Sequence, residues 1–114
     1  MTTLYGIPNC DTVKKSRTWF DEHHSPYTFH DFKKQGVPEQ GLSAWIAALG
    51  WEALINKNGT TWRKLDAATQ ASVIDVSSAQ ALMLTHPSVI KRPVVDLTGP
   101  ATRITVGYAP QDWA

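Results

Sequence analysis

The sequence has one cysteine in 114 residues, Cys10. Without a second, no internal disulfide can form, and the framework that holds small secreted chains together is excluded. Charge of one sign is also missing. Eleven Lys and Arg stand against ten Asp and Glu, a formal net charge of +1, and the basic residues are scattered. No basic block marks a surface that would track nucleic-acid phosphates. Long apolar runs are absent, and Met1-Thr2-Thr3-Leu4-Tyr5-Gly6 lacks the basic head and apolar centre of a secretory signal. These absences lead us to expect a cytoplasmic protein with neither nucleic acid nor membrane as partner. Metal motifs are missing as well: there is no Cys-x-x-Cys and no His-Glu-x-x-His among the four histidines, His23, His24, His30 and His86. We expect no metal and no tightly bound cofactor, and no glycine-rich phosphate loop is present.

What remains is an ordinary globular composition, 42% apolar and 18% charged, enough for one domain over residues 1–114. Thr3-Leu4-Tyr5-Gly6-Ile7 alternates and runs into Pro8-Asn9, which predicts a strand ending in a turn. From Asp11 on, Val13, Arg17, Phe20 and His24 recur at helical spacing until Ser25-Pro26, and Tyr27-Thr28-Phe29-His30 alternates again. Strand, helix, strand in so short a stretch predicts a parallel βαβ unit with a right-handed crossover.

The middle reads as helical. Pro38 suits a first helical position, Leu42, Trp45, Ile46 and Leu49 form one apolar face, and Gly50 suits the stop. Short turns of helix are expected at Trp51–Ile55 and Thr60–Leu65, and a helix capped by Asp66 through Ile74. Ser77-Ser78-Ala79-Gln80 has the pattern of a capping box, opening a helix with Ala79, Leu82 and Met83 inward and His86-Pro87 at its end. Pro93-Val94-Val95-Asp96 and Thr102-Arg103-Ile104-Thr105-Val106 flank Leu97-Thr98-Gly99-Pro100 as a β-hairpin, and Pro110-Gln111-Asp112-Trp113 forms a closing helical turn.

Cys10 falls directly after the first strand and directly before the first helix. Sites in open parallel sheets lie beyond the carboxyl ends of strands. A helix start also offers unpaired N–H groups and the positive end of the helix dipole, which favour thiolate over thiol. Lowering a thiol pKa by about two units corresponds to ~2.7 kcal/mol of selective stabilisation of the anion. Lys14 and Lys15 add positive charge one turn on, whereas Asp11 opposes it. A second candidate is Lys91-Arg92-Pro93, where a charged side chain beside a strand-opening proline, cis or trans, could reach the Cys10 loop.

Two stretches carry a family resemblance: Leu4-Tyr5-Gly6-Ile7-Pro8-Asn9-Cys10-Asp11-Thr12-Val13-Lys14-Lys15 and His86-Pro87-Ser88-Val89-Ile90-Lys91-Arg92-Pro93-Val94-Val95. With them in view, the chain resembles the arsenate reductase-like branch of the thioredoxin fold. Gly50-Trp51-Glu52 and Gly59-Thr60-Thr61-Trp62-Arg63-Lys64-Leu65 resemble its short arsenate reductase-related subgroup. The resemblance implies an α/β thioredoxin-like fold, βαβ plus ββα, with residues 37–87 as a helical insert. It implies Cys10 as nucleophile, Arg92 as its catalytic partner, and Pro93 as a cis-proline. Asn9, Asp11, Thr12, Lys14, Arg92 and Pro93 would then bind substrate.

The chain departs from the parent pattern at four places. Arsenate reductases carry a histidine where this chain has Gly6, a serine where it has Val13, and further arginines at the positions aligned with Asn56 and Gly107. Each lost charge-assisted hydrogen bond to an oxyanion costs roughly 1.5–3 kcal/mol. The activity implied is therefore glutathione-dependent thiol–disulfide reduction by a monomer, with glutathione as co-substrate and glutaredoxin as a further partner. The substrate would be a disulfide or an oxyanion not named by the sequence. Arsenate reduction is the alternative enzyme reading. A third reading is a non-enzymatic regulator of the related RNA polymerase-binding branch, in which Val13 occupies the place of that branch's second cysteine.

Overall fold

The computed structural model describes residues 2–97 and 103–113. It comprises two compact units, one formed by residues 1–36 and 92–114 and the other by residues 37–91.

In the first unit, strand β1 (Thr2–Gly6) leads through a turn into helix α1 (Asp11–Glu22), and β2 (Tyr27–Asp31) follows. The turn is closed by the Cys10 N–H donating to the Ile7 carbonyl at 3.2 Å, with Pro8 at the corner where its fixed φ is favourable. A short helix α2 (Phe32–Gln35) is capped by the Asp31 carboxylate, which accepts from the Lys33 N–H. After the second unit the chain returns as β3 (Val94–Leu97), β4 (Arg103–Val106) and a last turn. The sheet order is β2-β1-β3-β4, with β1 parallel to β2 and antiparallel to β3, and β3 antiparallel to β4. The parallel βαβ pair and the antiparallel ββ pair expected from the sequence are both present. Of the expected hairpin loop, Leu97 is the last residue of β3, and Thr98-Gly99-Pro100 lie outside the described residues.

One face of this sheet carries the unit's core. Leu4 and Val95 from adjacent strands pack with Val13 and Phe20 of α1 and with Ala109 and Trp113. The terminal turn, Pro110–Trp113, is held down by its aromatic ring: Trp113 Nε1 donates to Thr105 Oγ1 at 2.8 Å, and the ring meets Phe20 and Trp19. That hydrogen bond satisfies the one polar atom the ring would otherwise bury unpaired. Two of the four positions expected at one helical spacing behave differently. Arg17 lies at the edge of the core, its guanidinium 4.2 Å from the centre of the Phe29 ring and its Nε donating to Tyr27 Oη. His24 is past the helix end, with φ +52°.

In the second unit, α3 (Glu39–Leu49), α4 (Trp51–Leu54), α5 (Thr60–Lys64), α6 (Ala67–Ala71) and α7 (Val76–Thr85) precede a 3₁₀ turn at Pro87–Val89. Leu42, Trp45, Ile46, Leu54, Ala79, Leu82 and Met83 are buried in it. Pro38 caps α3 from outside instead of opening it, and Gly50 ends that helix at φ +86°, where a side chain would be strained.

Two expectations need correction here. The Asp66-capped helix stops at Ala71, not Ile74: Ser72 turns its hydroxyl onto the Thr69 carbonyl at 2.6 Å, and the N–H of Ile74 is taken by Ser78 Oγ. The capping box also begins two residues earlier than the Ser77 pattern indicated. Asp75 is the cap, accepting from the Ser78 N–H at 2.9 Å, while Ser78 Oγ accepts from the Asp75 N–H. A serine can close the box from the third helical position, so the missing Glu or Gln was no obstacle.

Phe20 is fully buried at the junction of α1, Tyr27 and Trp113. Phe20→Ala is expected to destabilise the protein by about 3–5 kcal/mol, read as a lowered urea midpoint at unchanged slope.

Candidate functional site

Antiparallel pairing decides what lies beside Cys10. Tyr5 of β1 is paired with Val94 of β3, so the carboxyl end of β1 adjoins the amino end of β3. Cys10 follows the first and Arg92-Pro93 precedes the second, which brings together two segments more than eighty residues apart in the chain. The Arg92–Pro93 bond is cis, Pro93 is fully buried, and its carbonyl accepts from the Gly107 N–H at 2.9 Å. Gly107 makes that bond at φ +80°, a backbone state that side chains rarely adopt.

Cys10 is the N-cap of α1, with extended backbone at φ −93° and ψ 127°; its carbonyl accepts the first helical bond, from the Lys14 N–H at 2.9 Å. It makes no cap hydrogen bond to the helix as a serine or aspartate would, so the N–H groups of the first turn are left facing its sulfur. Burial pushes the thiol up. The Val13 N–H, a hydrogen bond and the charge of the Arg92 guanidinium, and the Thr12 N–H pull it down, and together they prevail: the pKa lies below its ordinary value. The side chain is part-exposed and packs against the core of the first unit.

The structure brings Thr12 and Arg92 to Cys10, with Pro93 next to Arg92 in the chain. Asn9 is exposed in the turn, and Asp11 and Lys14 are exposed on the first turn of α1. Lys14 contributes its N–H to the helix, and Lys15 lies with Nζ 4.1 Å from the centre of the Tyr108 ring. The cation on the sulfur is thus Arg92, not a lysine of α1. Val13 is the residue the sequence reading left out of the site. Its apolar side chain marked it as core, whereas its contribution to the sulfur comes through the backbone, which no side-chain pattern reveals.

Among the described residues, no group of three or more His, Cys, Asp or Glu gathers in a way that could hold a metal ion. Nor is any described helix long and apolar enough to cross a membrane.

A comparison with known families matches residues 5–114 to the ArsC family. The chain belongs to the ArsC family. Among solved structures, YffB is 48% identical and superposes with a TM-score of 0.91 over 99% of this chain and 96% of that one. An arsenate reductase (ArsC) related protein from Brucella melitensis is 43% identical, with a TM-score of 0.75 over 98% of this chain and 90% of its own. The global transcriptional regulator Spx of Streptococcus pneumoniae is more distant, 24% identical over 95% of this chain and 79% of its own. ArsC membership agrees with the thioredoxin-like arrangement of the first unit, βαβ followed by ββα.

Removing the guanidinium should return the thiol toward ordinary behaviour. For Arg92→Ala we expect a pKa above that of the wild type and a roughly tenfold loss of thiolate at a fixed pH below both values, read by ultraviolet thiolate absorbance. The sign for stability follows: a thiol whose pKa is lowered by folding stabilises the native state above its unfolded pKa. That contribution is lost as pH falls through the folded value. Cys10→Ser should lack this part of the pH dependence.

Proposed function

We propose that the protein is a glutathione-dependent thiol–disulfide reductase in which Cys10 is the nucleophile and Arg92 its catalytic partner. The observation that carries this reading is a part-exposed thiol on which two backbone N–H groups and one guanidinium converge, in a chain with no second cysteine. Such a thiol has only external partners. Family membership supports it, because the resemblance to the arsenate reductase-related subgroup implies the same chemistry.

The exchange balances in two steps. The Cys10 thiolate attacks the glutathione sulfur of a mixed disulfide R–S–SG; the new bond is Cys10–S–SG, and R–S⁻ leaves and takes a proton from solvent. A glutathione thiolate then attacks the glutathione sulfur of that adduct, releasing GSSG and the Cys10 thiolate. The sum is R–S–SG plus one glutathione thiol giving R–SH plus GSSG: the R sulfur is reduced, the incoming glutathione sulfur is oxidised, and the other half of GSSG comes from the substrate. Arg92 would stabilise the thiolate at the start and end of the cycle and hold a carboxylate of glutathione between. Thr12 offers its N–H to the same sulfur. Asn9, Asp11 and Lys14 would line the exposed approach, and Pro93, next to Arg92, would complete the substrate-binding set. Glutathione is the co-substrate, and glutaredoxin would serve as a further electron partner to a monomeric, cytoplasmic enzyme.

Arsenate reduction has less support. An oxyanion with two or more negative charges needs several cations, and at Gly107 the positive φ disfavours any side chain, an arginine included. Purified protein should catalyse glutathione exchange on a model mixed disulfide. We expect Cys10→Ser to abolish turnover and Arg92→Ala to lower it by about tenfold or more, with arsenate turnover near background. Arsenate turnover that survives Arg92→Ala, with no glutathione exchange, would overturn the reading. So would a stoichiometric complex with RNA polymerase unaffected by Cys10→Ser in a protein inactive on disulfides.

A further inference from the structure

Gly6 ends β1, and the space its side chain would take is already occupied. A Cβ built there lies 2.7 Å from Val13 Cγ2 and 3.5 Å from Cγ1, the first well inside contact distance. Val13 is 0% exposed, so its methyl groups are enclosed by Leu4, Phe20 and the rest of the first unit's core. A β-branched side chain in a helix also has one strongly preferred rotamer, so Val13 cannot swing aside without moving its backbone. That backbone carries the N–H that lowers the Cys10 pKa.

We propose that Val13 is the positioning residue of the Cys10 site: its side chain, seated on the bare Cα of Gly6, fixes the first turn of α1 against the end of β1 and so aims the Val13 and Thr12 N–H groups at the sulfur. Gly6 is the socket and Val13 the plug. The contact ties the two elements that flank Cys10 to each other, so the turn between them has little freedom to carry the sulfur away from its donors. The Arg92 guanidinium acts on the sulfur from a separate segment, at the start of β3. The inference deepens the reductase reading, on which its catalytic meaning rests, but the geometry can be tested without any substrate.

The pair predicts its own rescue. A Cβ at position 6 would sit 3.7 Å from Val13 Cβ, an ordinary contact, so only the Val13 methyl groups forbid it. Thiol titrations by ultraviolet absorbance, each paired with a thermal melt, should be run on wild type, Gly6→Ala, Val13→Ala and the double variant. We expect Gly6→Ala to lower the thiolate fraction at fixed pH about tenfold and Val13→Ala to lower it about threefold. The double variant should recover most of the Gly6→Ala loss. A folded Gly6→Ala protein with the wild-type titration, or a double variant no nearer wild type than Gly6→Ala, would overturn the proposal. Should Gly6→Ala fail to fold, Val13→Ala decides alone, and an unchanged titration there overturns it equally. A wild-type protein inactive on disulfides that still shows the coupled titrations would remove the reductase reading and leave the positioning role standing.

Discussion

A thiolate is stable inside a protein only where positive potential outweighs the loss of water, and here that potential comes from two stretches far apart in sequence. The start of α1 supplies N–H groups from Thr12 and Val13; the start of β3 supplies the Arg92 guanidinium. Neither would suffice by proximity in the chain. Antiparallel pairing of β1 with β3 puts the end of one strand beside the beginning of the other, and the Tyr5–Val94 register sets how far along the sheet edge the guanidinium stands from the sulfur. The sheet topology is therefore part of the electrostatics.

The features that support this arrangement have local physical causes. Pro8 forms the corner that delivers Cys10 to the cap position, and Gly6 lets Val13 close on the strand. At the other segment, Gly107 at positive φ donates to the Pro93 carbonyl and ties the cis-proline loop to the residues after β4. Two positions where the chain departs from the arsenate reductase pattern, Gly6 and Val13, are the two halves of a single contact. Of the other two, Gly107 sits at φ +80°, a backbone state that favours glycine. These departures read as consequences of packing and conformation.

Much of this was legible in the sequence because the signals were local. Alternation marked β1 and β2, Ser25-Pro26 marked the break between them, and a cysteine between strand and helix pointed to the site. The approach of Arg92 could be suspected but not fixed, since it depends on strand order, which no short window contains. Val13 was hidden for a different reason: its hydrophobic side chain reported its burial and said nothing of its N–H. For Lys14 and Lys15 the open question was side-chain direction. Sequence spacing put both within a turn of the sulfur, but side-chain direction carried Lys15 to the Tyr108 ring and left Lys14 exposed. The capping box of α7 was misread by two residues because the Asp75–Ser78 pair does the work that a Glu or Gln usually does.

Burial is the strongest single influence on the Cys10 thiol, and it acts against ionisation. This opposition suits exchange chemistry. A thiol driven far down in pKa is fully ionised but a weak nucleophile, because nucleophilicity falls with basicity, with a Brønsted coefficient of about 0.4–0.5. A thiol left at its ordinary pKa is a strong nucleophile that is seldom ionised at neutral pH. The best attacking thiol has a pKa near the ambient pH, and at Cys10 the N–H groups and one guanidinium lower the pKa against an opposing desolvation. A second or third arginine would tip the balance toward a stable anion and toward oxyanion binding. Arg92 is the cation that acts on the sulfur, where binding of a multiply charged oxyanion calls for several.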